Sequence, residues 1–143
     1  MGQVWRITFR HLSQQAQFPN RFQHDKGWIA ELKDLYAMRA PGTTCLSAIN
    51  GNIMGKIEKP INDNAGCGGV MRVAPVGLVY YENPEMAFKV GVDCAALTHG
   101  NPRGYLPAGF LSGMIAHIIN GKNNTEAVDA TLPILKKYEG NEP

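Results

Sequence analysis

Cysteine pairs are missing from this sequence: Cys45, Cys67 and Cys94 are its three cysteines, and none stands two residues from another. That spacing excludes a CxxC zinc or redox motif, and the odd number excludes a fully paired disulfide framework. The expectation is a reducing cytoplasm with the thiols free and mostly buried. Charge is scarce too: Lys and Arg total 14, Asp and Glu total 12, and the net charge is +2. With no basic run and no aromatic-interleaved basic patch, a nucleic-acid partner is not expected. The most apolar window, Leu106 to Ile119, is shorter than a membrane span and contains His117, so no membrane partner is expected either. Met1-Gly-Gln-Val-Trp-Arg6 carries no signal-peptide pattern. Paired carboxylates are also lacking. The acids, among them Asp25, Glu31, Asp34, Asp63, Glu85 and Asp93, form no Asp-Asp and no Asp-x-Asp, whereas hydrolytic sites usually rest on carboxylate pairs or on a metal with several oxygen ligands. Ser47 and Ser112 lack the Gly-x-Ser-x-Gly setting of a nucleophile elbow.

What is present is a chain of 143 residues, 44% hydrophobic, long enough for one domain with a real core. It is organised around Asn64-Ala-Gly-Cys-Gly-Gly-Val-Met-Arg72, a glycine-rich turn running into the apolar stretch Val70 to Val79. Glycines 66, 68 and 69 permit positive φ and let a ligand approach the backbone. If the apolar stretch is a buried helix, the turn lies at its N-terminus, where unpaired amides favour an anion. The alternative is a tight connection between two core helices. Met71 stands where a Rossmann fingerprint would need its third glycine, and no Gly-Lys-Ser/Thr follows for a Walker loop.

Helical periodicity runs through the rest. Residues 1–24 hold no period. Asp25 can cap a helix with Trp28, Leu32, Leu35 and Tyr36 on one face, ended by Ala40-Pro41-Gly42. Thr43 or Thr44 opens a short segment, Cys45 to Ile49, closed by Asn50-Gly51, and residues 50–66 read as a polar connector. Pro75 should kink the apolar run after the glycine turn. Asn83-Pro84-Glu85 starts a helix that runs to Thr98-His99-Gly100. Another begins near Arg103 and stops at Gly121; its Gly109 and Gly113, one turn apart, would let a neighbouring helix pack close. Asn123 with Glu126 resembles a capping box, opening a last helix bent by Pro133. No strand-like alternation occurs, and the fold expected is all-α.

Three side chains invite a chemical reading. His99, at a helix end, either is a cation favoured by the helix dipole or lines the same cleft as the glycine turn. Arg72 either clamps a phosphate or ties a connector to a helix end. Tyr105 either stacks on a base or ribose or is a partly buried residue of a first helical turn. His11, His24 and His117 have no partner at metal spacing. These residues describe a binding cleft better than a complete catalytic site.

Taken together in order, Arg39-Ala-Pro-Gly-Thr-Thr-Cys-Leu-Ser47, Asn64-Ala-Gly-Cys-Gly-Gly-Val-Met-Arg-Val-Ala-Pro75 and Ala96-Leu-Thr-His-Gly-Asn-Pro-Arg-Gly-Tyr105 resemble the central part of the ADP-ribosylglycohydrolase family, which includes the dinitrogenase reductase-activating glycohydrolase. The match runs from about Trp28 to Gly121. The resemblance implies a multi-helical orthogonal bundle and hydrolysis of the bond between ADP-ribose and a protein side chain or small acceptor. It implies two Mg²⁺ or Mn²⁺ ions. By the same resemblance, Gly42 and the backbone of Asn64, Ala65, Gly66, Cys67, Gly68 and Gly69 would hold the ribose and pyrophosphate. Met71 and Arg72 would support that loop, His99 would line the ribose side, and Gly104 and Tyr105 would complete the wall.

The chain departs from the family pattern where metal is concerned. The acidic Asp-Asp-Thr-like run and the Asp-x-Asp-Thr/Ser run that supply the family's metal ligands do not occur, and Asn101 replaces the histidine usual after Thr-His-Gly. Residues 1–143 therefore read as a single all-α domain resembling the middle portion of a longer enzyme, inactive until flanking segments or a second chain complete it. The competing readings are a non-catalytic ADP-ribose or nucleotide-binding remnant and a helical interaction module.

Overall fold

The structure, a computed structural model, describes residues 42–51 and 53–138. The chain divides into two compact units, Met1–Ile53 and Met54–Pro143. The helix expected from Asp25 lies outside the described residues.

In the first unit, α1 spans Thr43–Gly51. The Gly42 carbonyl accepts from the Leu46 amide at 3.0 Å and starts the ladder. Cys45, Ala48 and Ile49 are its buried residues, at the three- and four-residue spacing that puts side chains on one helical face.

The second unit opens without helix. Lys56 and Lys59 exchange backbone hydrogen bonds of 3.1 Å across a tight turn. The chain then crosses residues 60–69 in irregular conformation. The apolar run after the glycines is two pieces, a 3₁₀ turn at Val70–Arg72 and a six-residue helix α2 at Ala74–Val79. Pro75 sits in the first turn of α2, so it opens a helix rather than kinking one. Its fixed φ suits that place, and the amide it lacks would have had no intrahelical partner there. The run is not buried throughout either, since Met71, Leu78 and Val79 are exposed.

Helix α3 spans Pro84–Ala96, with the Asn83 side chain accepting from the Met86 amide at 3.0 Å. Helix α4 spans Pro102–Ile119, and its N-cap is Asn101, whose side chain accepts from the Arg103 amide at 2.9 Å. It ends in a Schellman arrangement: Gly121, at φ 89°, donates to the Ile118 carbonyl at 2.9 Å and Lys122 to the His117 carbonyl at 3.2 Å. Helix α5 spans Asn124–Leu135 and has both hydrogen bonds of a capping box between Asn123 and Glu126. Among the described residues there are five α-helices and no strand. The architecture is all-α.

The core lies where α3, α4 and α5 meet. Phe88, Val92, Ala95, Ala108, Ala116 and Ala127 are fully buried there, and small residues set the distances. A Cβ on Gly109 would press into a Val92 methyl and stand 2.8 Å from the Phe88 carbonyl oxygen. Gly113 faces α5 instead, 3.1 Å from the Thr131 methyl by the same measure. The buried Ser112 hydroxyl donates to the Ala108 carbonyl at 3.0 Å and also reaches the Val73 carbonyl at 3.3 Å. Without such an acceptor a hydroxyl in that position would cost about 1–3 kcal/mol. The α3–α4 pair thereby fixes the turn between them, residues 97–101.

Candidate functional site

Two irregular segments lie against each other in the second unit: residues 60–69 and the α3–α4 turn. One side chain joins them. The Asn62 amide donates to the Thr98 carbonyl at 2.8 Å, while its Oδ1 accepts from the amides of Gly100 and Asn64, both at 3.0 Å. Asn64 repeats the device, its Oδ1 accepting from Gly66 at 2.8 Å and its carbonyl from the Asn101 amide at 3.4 Å. Asn101 Nδ2 donates to Asp63 Oδ1 at 2.7 Å. Contact this close excludes side chains on the facing backbone. A Cβ on Gly100 would run into the Asn62 carbonyl, and one on Gly104 would stand 2.7 Å from the Asn64 carbonyl oxygen.

The glycine turn is built for the same reason. Among the described glycines, positive φ belongs to Gly121 alone. Gly66, Gly68 and Gly69 thus do not use the left-handed freedom that glycine offers. Gly69 is helical, at φ −68°, and a Cβ there would lie 2.7 Å from Ala95 Cβ and 2.9 Å from the Gly104 carbonyl. The turn enters a three-residue 3₁₀ segment, not a long helix, so it has no macrodipole to attract an anion. What it does have is backbone: among the described residues, the amides of Cys67, Gly68 and Gly69 are taken by no hydrogen bond.

Arg72 reaches away from the turn toward the end of α3. Its Nη2 donates to the Cys94 carbonyl at 3.0 Å, to the Ala95 carbonyl at 3.4 Å and to Thr98 Oγ1 at 2.6 Å. A guanidinium here caps the end of α3, where the Ala95 carbonyl also accepts from the amides of Thr98 and His99. Thr98 Oγ1 is in turn 2.8 Å from His99 Nδ1. The His99 ring is buried, and burial together with the Arg72 charge holds its pKa below the ordinary histidine value. A cation drawn to the helix dipole is therefore not what this histidine is. Its other nitrogen, Nε2, lies 3.7 Å from where a Cβ of Gly66 would be.

The residues singled out in the sequence do not all come together. Asn64, Gly66, Gly69, His99 and Gly104 come together around the Asn62 clasp. Ala65 and Cys67 are exposed on the turn beside Gly68, and the Cys67 thiol meets Met71 Sδ at 3.9 Å. Met71 points outward, and Tyr105 is buried in the first turn of α4. Gly42 belongs to the first unit, and among the described residues nothing lies within 4 Å of where its Cβ would be. Sequence reasoning passed over Asn62 and treated Asn101 only as a departure. Both were marked by position, since an asparagine before a glycine turn or a proline favours side-chain-to-backbone hydrogen bonds.

For a divalent pair the described residues do not fit. No group of three or more His, Cys, Asp or Glu that could hold a metal occurs among them, and Asp63, the one acid beside the turn, is engaged by Asn101. No described helix is long and apolar enough to cross a membrane. The family model described as ADP-ribosylglycohydrolase matches residues 5–142. No solved structure matches the chain.

Proposed function

The chain belongs to the ADP-ribosylglycohydrolase family, a family of hydrolases, and from that premise we propose that it takes up ADP-ribose, free or on a modified side chain or small acceptor, between the glycine turn and His99. The observation that carries this reading is the placement of His99 Nε2 beside Gly66, on a loop whose next amides, from Cys67 to Gly69, are unspent. Successive free amides suit pyrophosphate or ribose oxygens, and a ring nitrogen opposite them suits a hydroxyl. Gly104 lets the two walls approach, and Arg72 holds the His99 turn. Cys45, Cys67 and Cys94 form no disulfide with one another, which suits a reducing cytoplasm.

Turnover is a separate matter. Cleaving a glycosidic bond requires an oriented water and stabilisation of an oxocarbenium-like state. The family assigns this to Mg²⁺ or Mn²⁺ held by several oxygen ligands, and the described residues offer no such set. Because the sequence also carries neither of the acidic runs that hold the family's metals, our reading is that the chain by itself binds without hydrolysing and that hydrolysis waits on ligands from other segments or a second chain. Calorimetric titration with ADP-ribose tests the first part. Binding is expected and Gly68→Val should weaken it, whereas a folded chain that gives no heat with millimolar ADP-ribose overturns the reading. Metal-dependent release of ADP-ribose from a modified substrate, lost in Asp63→Asn, would overturn the second.

A further inference from the structure

We propose that Cys67 is a thiol switch on the glycine turn: a mixed disulfide formed at its Sγ with a small acidic thiol, such as glutathione, closes the turn to anions. Cys67 is exposed, whereas Cys45 and Cys94 are buried. Burial also pushes the Cys94 thiol up from its ordinary value and leaves it less of the reactive thiolate. Gly66 and Gly68 flank Cys67 and bring no side chain to shield it. Met71 Sδ meets Sγ at 3.9 Å, and Met71 is itself 79% exposed. In the exchange, the Cys67 thiolate attacks one sulfur of a glutathione disulfide. A new S–S bond forms and the old one breaks. One glutathione leaves as a thiolate and takes up the proton that Cys67 gave away, so Cys67 is oxidised as that half is reduced.

An exposed thiol alone regulates nothing, and what gives this one a consequence is its place. Its own amide and those of Gly68 and Gly69 are the unspent donors of the turn. The residue before it, Gly66, faces the His99 ring. That ring is 2% exposed, and among the described residues its Nε2 has no hydrogen-bond partner. A buried ring that keeps one nitrogen unpaired beside open amides suits a bound molecule. Glutathione brings carboxylates to the same amides. Tethered at Sγ, they compete at an effective concentration on the order of millimolar, and they repel any free anion that approaches. That the anion shut out is ADP-ribose rests on the reading above; the exposure and placement of the thiol do not.

The test compares each chain with itself before and after treatment with glutathione disulfide at neutral pH. Intact mass and peptide mapping read the modification, and calorimetry reads the affinity for ADP-ribose. In the folded wild type, a single glutathione on Cys67 is expected, with affinity lower by on the order of tenfold and restored by dithiothreitol. Cys67→Ser, whatever affinity it starts from, should take up no glutathione under the same conditions and keep that affinity. Modification of Cys45 or Cys94 ahead of Cys67 overturns the proposal. So does a wild type that carries glutathione on Cys67 and binds ADP-ribose as before. If the untreated wild type gives no heat with ADP-ribose, that reading fails by itself, and inorganic pyrophosphate becomes the probe. Pyrophosphate binding that is lost on modification sustains the switch, and no binding of either anion overturns it as well.

Discussion

The α3–α4 seam and the loop face beside it solve the same problem, bringing two backbones close, by opposite means. In the seam, glycine and alanine remove side chains and the contact is apolar, Gly109 against Val92 and Phe88 being the tightest point. On the loop face, glycine again removes side chains, at Gly69, Gly100 and Gly104, but asparagine amides hold what glycine has cleared. Surface burial is non-directional, so the seam tolerates small slips but no added volume. Hydrogen bonds are directional, so the loop face is fixed in register around Asn62. A binding wall needs the second kind of order.

That contrast can be broken from either side. Gly109→Leu should have the largest effect, a loss of about 3 kcal/mol or more in thermal or denaturant unfolding, because overpacking a close helix crossing has no easy relaxation. The fraction that remains folded should still bind ADP-ribose with unchanged affinity. Asn62→Ala comes next, at about 2 kcal/mol for a group of partly buried hydrogen bonds, and here affinity should fall together with stability. If Asn62→Ala binds as well as wild type, the clasp does not shape the wall. Asn123→Ala, in neither region, should cost about 1 kcal/mol as a lost N-cap and leave binding alone. Lys137→Ala breaks an ion pair whose side chains are 60% and 64% exposed, and its melting shift should correspond to less than about 0.5 kcal/mol.

The seam was legible in the sequence and the loop face was only half so. Helix starts at Asn83 and Asn123 and the stop at Gly121 follow from local capping chemistry, and all three are as the residues suggest. The spacing of Gly109 and Gly113 announced a close helix, although one faces α3 and the other α5. Pro75 misled, because a proline in an apolar run looks the same whether it breaks a helix or begins one. In the glycine turn the residues were visible and their reason was not: close packing against Ala95 and the Gly104 carbonyl, where positive φ had been the natural guess. Arg72 left two outcomes open, and the chain places its guanidinium on the end of α3. Of the Asn62 clasp only the local half, its bond from the Asn64 amide, lay within reach of the sequence, since its other partners lie 36 and 38 residues away.

The buried neutral ring of His99 also sets an acid limit on the fold. Its pKa lies below the ordinary 6.5 when folded, so unfolding takes up a proton in the interval between the two values, and stability there must rise with pH. Acidification through about pH 6.5 therefore weakens the fold, until the native ring is protonated as well and the loss levels off. His117, held down by burial and by Lys122, adds a contribution of the same sign. Asp93, whose carboxyl burial raises from 3.8, works against them at more acid pH, because there the native state is the one that gains the proton. Cells or buffers that turn mildly acid would thus loosen this protein first through its histidines, and replacing His99 by asparagine would flatten that first slope.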